Sequence, residues 1–225
     1  MLFRSFLAIA AHELKTPIVA LQLQVRLLQR DLADFHSRSR TRRILERIDL
    51  QSRRVMELTN ALLDVTRLTS RGSAPHIERA DLAVIVRDAI GRVRTVARAS
   101  GCRLHVKART PVYVGCDPLA MEQVVLNLLS NAIKYGEGKP IYVRVGRAGG
   151  QALLEVRDTG IGLQRADRSR IFERFVRAVP EGEYGGLGLG LFIVRRIVRM
   201  HGGTVRATGS PRRGATFSVT LPLSE

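Results

Sequence analysis

Between Leu2 and Asp34 apolar residues recur as Phe3, Leu7, Ala10, Leu14, Leu21 and Leu28, a spacing near 3.5 residues that predicts a long bundle helix. The polar stretch Asp34-Phe35-His36-Ser37-Arg38-Ser39 interrupts it, and Ile44, Ile48, Val55, Leu58, Leu62 and Val65 then mark a second long helix. Two helices cannot bury both stripes as a lone hairpin. Residues 1–70 are therefore expected to form a helical hairpin that pairs with a second copy as a dimeric four-helix bundle. Ser70-Arg71-Gly72-Ser73-Ala74-Pro75 breaks the periodicity with small and helix-disfavouring residues, so a linker is expected over residues 71–77.

The pattern changes from residue 78 onward. Asp81 suits an N-cap ahead of the amphipathic run Leu82, Ile85, Val86, Ala89, Ile90 and Val93. Residues 103–107 and 112–115 alternate or carry β-branched side chains and predict two short strands. A helix is expected from Pro118 to Tyr135, followed by longer strands over Ile141 to Gly146 and Ala152 to Asp158 joined by a Gly149-Gly150 turn. A last helix opens after Gly190, and Gly203 to Thr208 with Ala215 to Leu221 close the chain as a hairpin around Pro211-Arg212-Arg213-Gly214. Residues 78–225 thus read as α+β, with helices on one face of a mixed sheet.

Composition adds bounds. Charged residues make up 25% and hydrophobic ones 45% of the 225 residues, as in an ordinary folded protein and unlike extended disorder. No apolar run approaches the ~20 residues of a membrane span. Met1 to Ala11 is apolar but leads without a cleavage-site pattern into the first helix, so a signal peptide is not expected. The net charge of +17 comes mostly from arginine, the lysines being Lys15, Lys107, Lys134 and Lys139. That balance suits an anionic partner such as a nucleotide, an inner-leaflet membrane surface or an acidic protein. The arginines are scattered rather than gathered in a tail or basic helix, so no specific nucleic-acid partner is expected. Cys102 and Cys116 have no metal-ligand spacing and are expected as reduced structural thiols, with room to face each other across a hairpin.

Four stretches carry candidate chemistry. In Ala11-His12-Glu13-Leu14-Lys15-Thr16-Pro17, Thr16 lies one helical turn from His12 on the same face and Lys15 flanks it. Glu13 points about 100° away, and Pro17 should loosen the helix just below His12. On the second stretch, Asn127, Asn131, Lys134 and Tyr135 form a polar stripe along an otherwise apolar helix. Buried amides need partners, and amide oxygens are ligands that Mg²⁺ accepts, while a solvated stripe fits the spacing as well. Third, Asp158-Thr159-Gly160-Ile161-Gly162 ends a strand where two glycines let backbone approach a flat ligand, or simply form a turn around a solvated Asp. Fourth, Phe172-Glu173-Arg174-Phe175 precedes a polar loop over residues 176–185, and Gly186-Leu187-Gly188-Leu189-Gly190 opens a helix whose free amides suit phosphate. Arg174 and Arg177 could reach phosphates from that loop. A dinucleotide fingerprint fails for want of a third glycine at Leu191 or Ile193, and a P-loop fails because Pro140 follows Gly138-Lys139.

In this order the stretches resemble the H-box, N-box, first glycine box, F-box and second glycine box of sensor histidine kinases, across nearly the whole chain. The resemblance implies a dimerisation and histidine-phosphotransfer hairpin over residues 1–70, and over residues 78–225 an α/β sandwich of the GHKL ATPase type. That fold is shared with gyrase, heat-shock chaperone and mismatch-repair ATPases. It further implies ATP and Mg²⁺ as cofactors, with Asn127 on the metal and Asn131, Lys134 and Tyr135 on the phosphates. Asp158 would accept the adenine amine, beside Gly160, Gly162, Phe172, Arg177, Gly186, Gly188 and Gly190. His12 would take the phosphoryl group when the domains approach, Glu13 would orient or deprotonate its ring, and Thr16 would position water for a regulator phosphatase.

The implied partners are a second copy of the chain, a response regulator receiver domain on another chain, and an upstream sensor. Eleven residues precede His12, so the sensor is expected either as a missing N-terminal segment that also supplies any membrane attachment, or as a separate protein. The expected location is cytoplasmic. Two rivals keep parts of this pattern: an ATP-dependent protein-serine kinase of the same superfamily, which leaves the H-box unexplained, and a basic dimer binding DNA or membrane with incidental ATPase activity.

Overall fold

The computed structural model describes residues 18–28, 41–48, 51–52, 55, 59, 76–178 and 188–224. The chain divides into two compact units, Met1–Thr69 and Ser70–Glu225. In the first, residues 18–28 and 41–48 are helical. Ile44 is buried there, whereas Ile18, Val19, Leu23, Val25 and Leu45 are exposed.

The second unit contains β1 (Glu78–Asp81), α1 (Leu82–Ala99), β2 (Leu104–Lys107), β3 (Tyr113–Cys116) and α2 (Pro118–Tyr135). It continues through β4 (Ile141–Ala148), β5 (Gln151–Arg157), α3 (Asp167–Arg170), α4 (Gly190–Met200), β6 (Thr204–Gly209) and β7 (Ala215–Pro222). Each long helix starts where the sequence supplies an acceptor for its free N–H groups. Asp81 takes the amide of Ala83 at 2.9 Å and, with the same oxygen, that of Val112 at 2.9 Å, tying the start of α1 to the approach of β3. Asp117 caps α2 through Leu119 and Ala120, both at 3.1 Å, and Pro118 occupies the first turn, where its missing N–H costs nothing.

Five strands form one sheet in the order β2-β4-β5-β7-β6, with β2 parallel to β4 and the remaining pairs antiparallel. Alternation sorts its faces. Ile141, Val143, Val145, Ala152, Leu154, Val156, Phe217, Val219 and Leu221 are buried, on the side covered by helices. The opposite face carries Tyr142 stacked on His105 at 5.0 Å, and Arg144 opposite Glu155 at 3.6 Å. Helix α2 packs between α1 and α4.

Three features depart from the sequence expectation. Glu-Arg-Ala-Asp at 78–81 has no strand pattern, yet it pairs antiparallel with β3 as a separate two-stranded ribbon. The one-turn helix α3 was not expected either. Cys102 and Cys116 do not face each other across a hairpin, because β2 joins the main sheet while β3 joins β1. Both thiols are free and buried, and burial, helped by Asp117 and Glu78, pushes Cys116 up to about 11. Among the described residues no helix is long and apolar enough to cross a membrane.

Leu154 is fully buried in the central strand β5. Leu154→Ala is expected to cost about 2–5 kcal/mol in urea unfolding of the second unit, since the packed helices above it cannot collapse into the void.

Candidate functional site

Helix α2 sets the site. Its apolar face, Val124, Val125, Leu128, Leu129 and Ala132, is buried, which leaves Asn127, Asn131, Lys134 and Tyr135 half-buried along one edge. The stripe predicted from spacing is therefore present, and from Asn127 to Tyr135 it runs about 12 Å along the axis. Lys134 lies over the ring of Tyr135, 5.0 Å from its centroid.

At the Tyr135 end the first glycine stretch closes against the helix. The amide of Ile161 donates to the Tyr135 carbonyl at 3.2 Å, and a Cβ on Gly160 would lie 1.7 Å from that same oxygen, so no larger residue fits. Gly162 has φ +75° and would place a Cβ 1.9 Å from the carbonyl of Ser210. The loop before β7 completes this cradle: Gly214 has φ +78° and passes within contact of the Asp158 backbone, where a Cβ would meet its carbonyl at 2.1 Å. Gly214 was not expected as a site residue, and its place follows from a strand pairing that a linear pattern does not reveal.

Asp158 is 3% exposed. One carboxylate oxygen accepts the amides of Gly160 at 3.0 Å and Ala215 at 3.2 Å. Burial pushes its pKa above the usual carboxylate value, opposed by those amide bonds and by the charge of Arg157. A desolvated acceptor fixed in this way can select a hydrogen-bond donor on a flat ring.

At the Asn127 end stands the N-terminus of α4. A Cβ on Gly190 would come within 3.2 Å of Asn127 Oδ1, so the amide and the first helical residue are near neighbours. Gly188 has φ +67° and is held against the Phe175 and Val176 backbone, where a Cβ would lie 2.7 Å from the Val176 carbonyl. The two ends of the intervening loop thus meet. Phe172 is 4% exposed and packs edge-on against Phe217 at 6.4 Å. It anchors the loop's entrance from inside the core and offers no face to a ligand. Arg177 is half-buried, and Arg174 lies over the ring of Phe192 at 4.7 Å. His12, Glu13, Thr16 and Gly186 lie outside the described residues.

Residues 116–225 match the family described as histidine kinase-, DNA gyrase B- and HSP90-like ATPases, and residues 4–71 match the His kinase A phospho-acceptor domain. The solved mycobacterial sensor histidine kinase MprB is 33% identical, with a TM-score of 0.58 over 65% of this chain and 97% of its own. The chain belongs to the histidine kinase family. The sensor-like histidine kinase SenX3 of Mycolicibacterium smegmatis is 32% identical over 97% of this chain and 57% of SenX3, so the chain spans about half of that relative's length. In fold, the chain also matches ThkA, solved in complex with the response regulator TrrA, with a TM-score of 0.77 at 19% identity over 98% of this chain and 61% of that one. The phospho-acceptor match contains the His12 stretch, and the ATPase match contains both glycine boxes and the stripe of α2.

The raised pKa of Asp158 means that the folded chain holds this proton more tightly than the unfolded chain does. Stability from this group is fully present below its ordinary value of 3.8 and is lost as pH rises through the higher folded value. Asp158→Asn keeps an oxygen for the Gly160 and Ala215 amides but cannot titrate. Urea unfolding across this range should show wild type losing stability relative to the variant as pH rises, and a pH-independent difference would contradict the buried-carboxylate account.

Proposed function

We propose that this chain is the catalytic core of a two-component sensor: it binds MgATP in residues 78–225, phosphorylates His12 in residues 1–70, and passes the phosphoryl group to an aspartate of a response regulator. The observation that carries this is the span of α2, whose Asn127 meets the glycine-opened helix at one end while its Tyr135 carbonyl meets the Asp158-Gly160 turn at the other. A nucleotide lying along that stripe has its adenine at Asp158 and its phosphates at Asn127, Asn131, Lys134 and the amides of residues 188–190. Arg177 is assigned to the phosphate end, as is Gly186 by its place in the second glycine box.

Asn127 is the residue that would hold Mg²⁺, together with oxygens of the nucleotide itself; the fit rests on an amide oxygen standing free of the apolar face beside a helix N-terminus. Bound there, the ion would neutralise charge on the phosphates. The protein's own contribution is alignment and fixed dipoles. The amides at the start of α4 face the anionic group, and the Asp158 cradle fixes the base so that the γ-phosphorus is presented in one geometry. In the transfer, Nε2 of His12 forms a bond to the γ-phosphorus as the bond to the β,γ-bridging oxygen breaks. ADP leaves, and Glu13 orients the ring and takes its proton.

The exposed Ile18, Val19, Leu23, Val25 and Leu45 in the first unit support assembly of two chains as a four-helix bundle. The response regulator as partner is supported by ThkA, which was solved with one. The length of SenX3 beyond this match supports a sensor region outside the present chain, and with it a place on the cytoplasmic side of a membrane-associated receptor. Thr16, one turn from His12, is assigned the water of a regulator phosphatase reaction.

Incubated with labelled MgATP, the wild-type chain is expected to acquire acid-labile, alkali-stable phosphate. His12→Gln should acquire none, and Asn127→Ala should lose at least about a hundredfold in rate, the scale of removing an electrostatic group at the transferring phosphoryl. Acid-stable label on His12→Gln would replace the histidine with a hydroxyl acceptor.

A further inference from the structure

Among the described residues two polar side chains are buried, Asp158 and His201. The second lies outside the nucleotide cradle. His201 follows the last residue of α4 and is 7% exposed. Its Nδ1 stands 2.8 Å from the carbonyl of Ile197, and its Nε2 accepts the backbone N–H of Asp117 at 3.0 Å. A carbonyl only accepts and a backbone amide only donates, so the ring is neutral and carries its proton on Nδ1. Asp117 is the N-cap of α2. One imidazole therefore joins the C-terminus of α4 to the N-terminus of α2.

We propose that His201 is a positioning residue that sets the axial register between α2 and α4, and so places the glycine-opened helix end opposite Asn127. Its role there presupposes that the site takes a nucleotide. The lengths support it. Asn127 lies about ten residues along α2 from Asp117, and Gly190 about eleven residues along α4 from His201, hence roughly 15 and 16.5 Å at the helical rise. Two antiparallel helices joined by His201 at the start of α2 consequently meet again midway along α2, at Asn127 and the first residue of α4, Gly190, where a Cβ would already be 3.2 Å from the amide oxygen. Apolar packing along their length is non-directional and tolerates small slides. The imidazole bridge is directional on both sides and does not.

Asparagine and glutamine separate the two halves of this bridge. At position 201 an asparagine amide reaches the place of Nδ1 and can still donate to Ile197, but it leaves the Asp117 amide unpaired. A glutamine carbonyl reaches the place of Nε2 and can accept that amide. In the full 225-residue chain, calorimetric titration with MgATP is expected to show His201→Asn binding about tenfold more weakly and His201→Gln within about threefold of wild type, on the scale of one buried hydrogen bond. Both variants should still unfold cooperatively.

Equal weakening by the two variants, or wild-type affinity in His201→Asn, would overturn the register role while leaving nucleotide binding intact. Wild type that binds no MgATP would remove the nucleotide assignment and the role with it. Should His201→Asn fail to fold, the ring itself is the readout in wild type: ¹⁵N spectra are expected to give the Nδ1–H tautomer with and without MgATP, and an Nε2–H tautomer would overturn the bridge.

Discussion

The burial of one face of α2 is the constraint on which the second unit depends. Val124, Val125, Leu128 and Leu129 are all fully buried, and each contributes roughly 1.5–3 kcal/mol that would be lost if the helix turned on its axis. With that rotation fixed, the residues one step around the helix have no choice of position. Asn127, Asn131, Lys134 and Tyr135 come to the boundary between core and solvent, where a polar group can meet a ligand without first paying the full cost of burial. The polar stripe is thus a consequence of the packing face.

The glycines follow from the same placement. Once the α2 carboxyl end is fixed, the turn after β5 must pass so close that the Tyr135 carbonyl would lie 1.7 Å from any Cβ at residue 160. Gly162 answers a similar close approach by Ser210 of the β6–β7 loop, and Gly214 in that loop one by the backbone of Asp158. These contacts hold Asp158 in a pocket of backbone amides, where its desolvation is partly offset by Gly160 and Ala215. A buried carboxylate would be a liability in a purely structural turn. For the proposed role of reading one ring edge, a dry and immobile acceptor is the useful form.

Periodicity made the helices and long strands of the second unit legible, because α1, α2, β4, β5 and β7 each bury one clean face. Element contents without a face were not legible. The strand at Glu78–Asp81 is polar and is held by pairing with β3, and α3 is a single turn with no buried residue. Sheet order was hidden as well, since parallel pairing of β2 with β4 is decided by packing distant in sequence; hence the misplaced cysteine pair. Motif residues on the chain's own turns could be named as candidates, but the places of Gly214 at the Asp158 cradle and of His201 between α2 and α4 could not. Both residues act through segments far away in sequence, Asp158 and Asp117 respectively, and nothing local distinguishes them from an ordinary hairpin glycine and a helix-end histidine.

The charge of +17 invites the idea of an anion-binding surface, yet several of the described arginines have structural employment. Arg87 donates to the Ala108 carbonyl and Arg168 to that of Gly209, joining α1 and α3 to neighbouring backbone. Arg79 lies over the ring of Tyr113 and Arg174 over Phe192, while Arg92 reaches Glu122 on α2 at 2.9 Å. A guanidinium serves these tasks because its planar fork can satisfy a carbonyl or cover an aromatic face while its stem packs on apolar surface. Loop carbonyls need donors, and arginine supplies them without the geometric demands of a strand. Part of the positive charge thus serves the domain's own backbone, rings and carboxylates, so net charge by itself does not identify a partner.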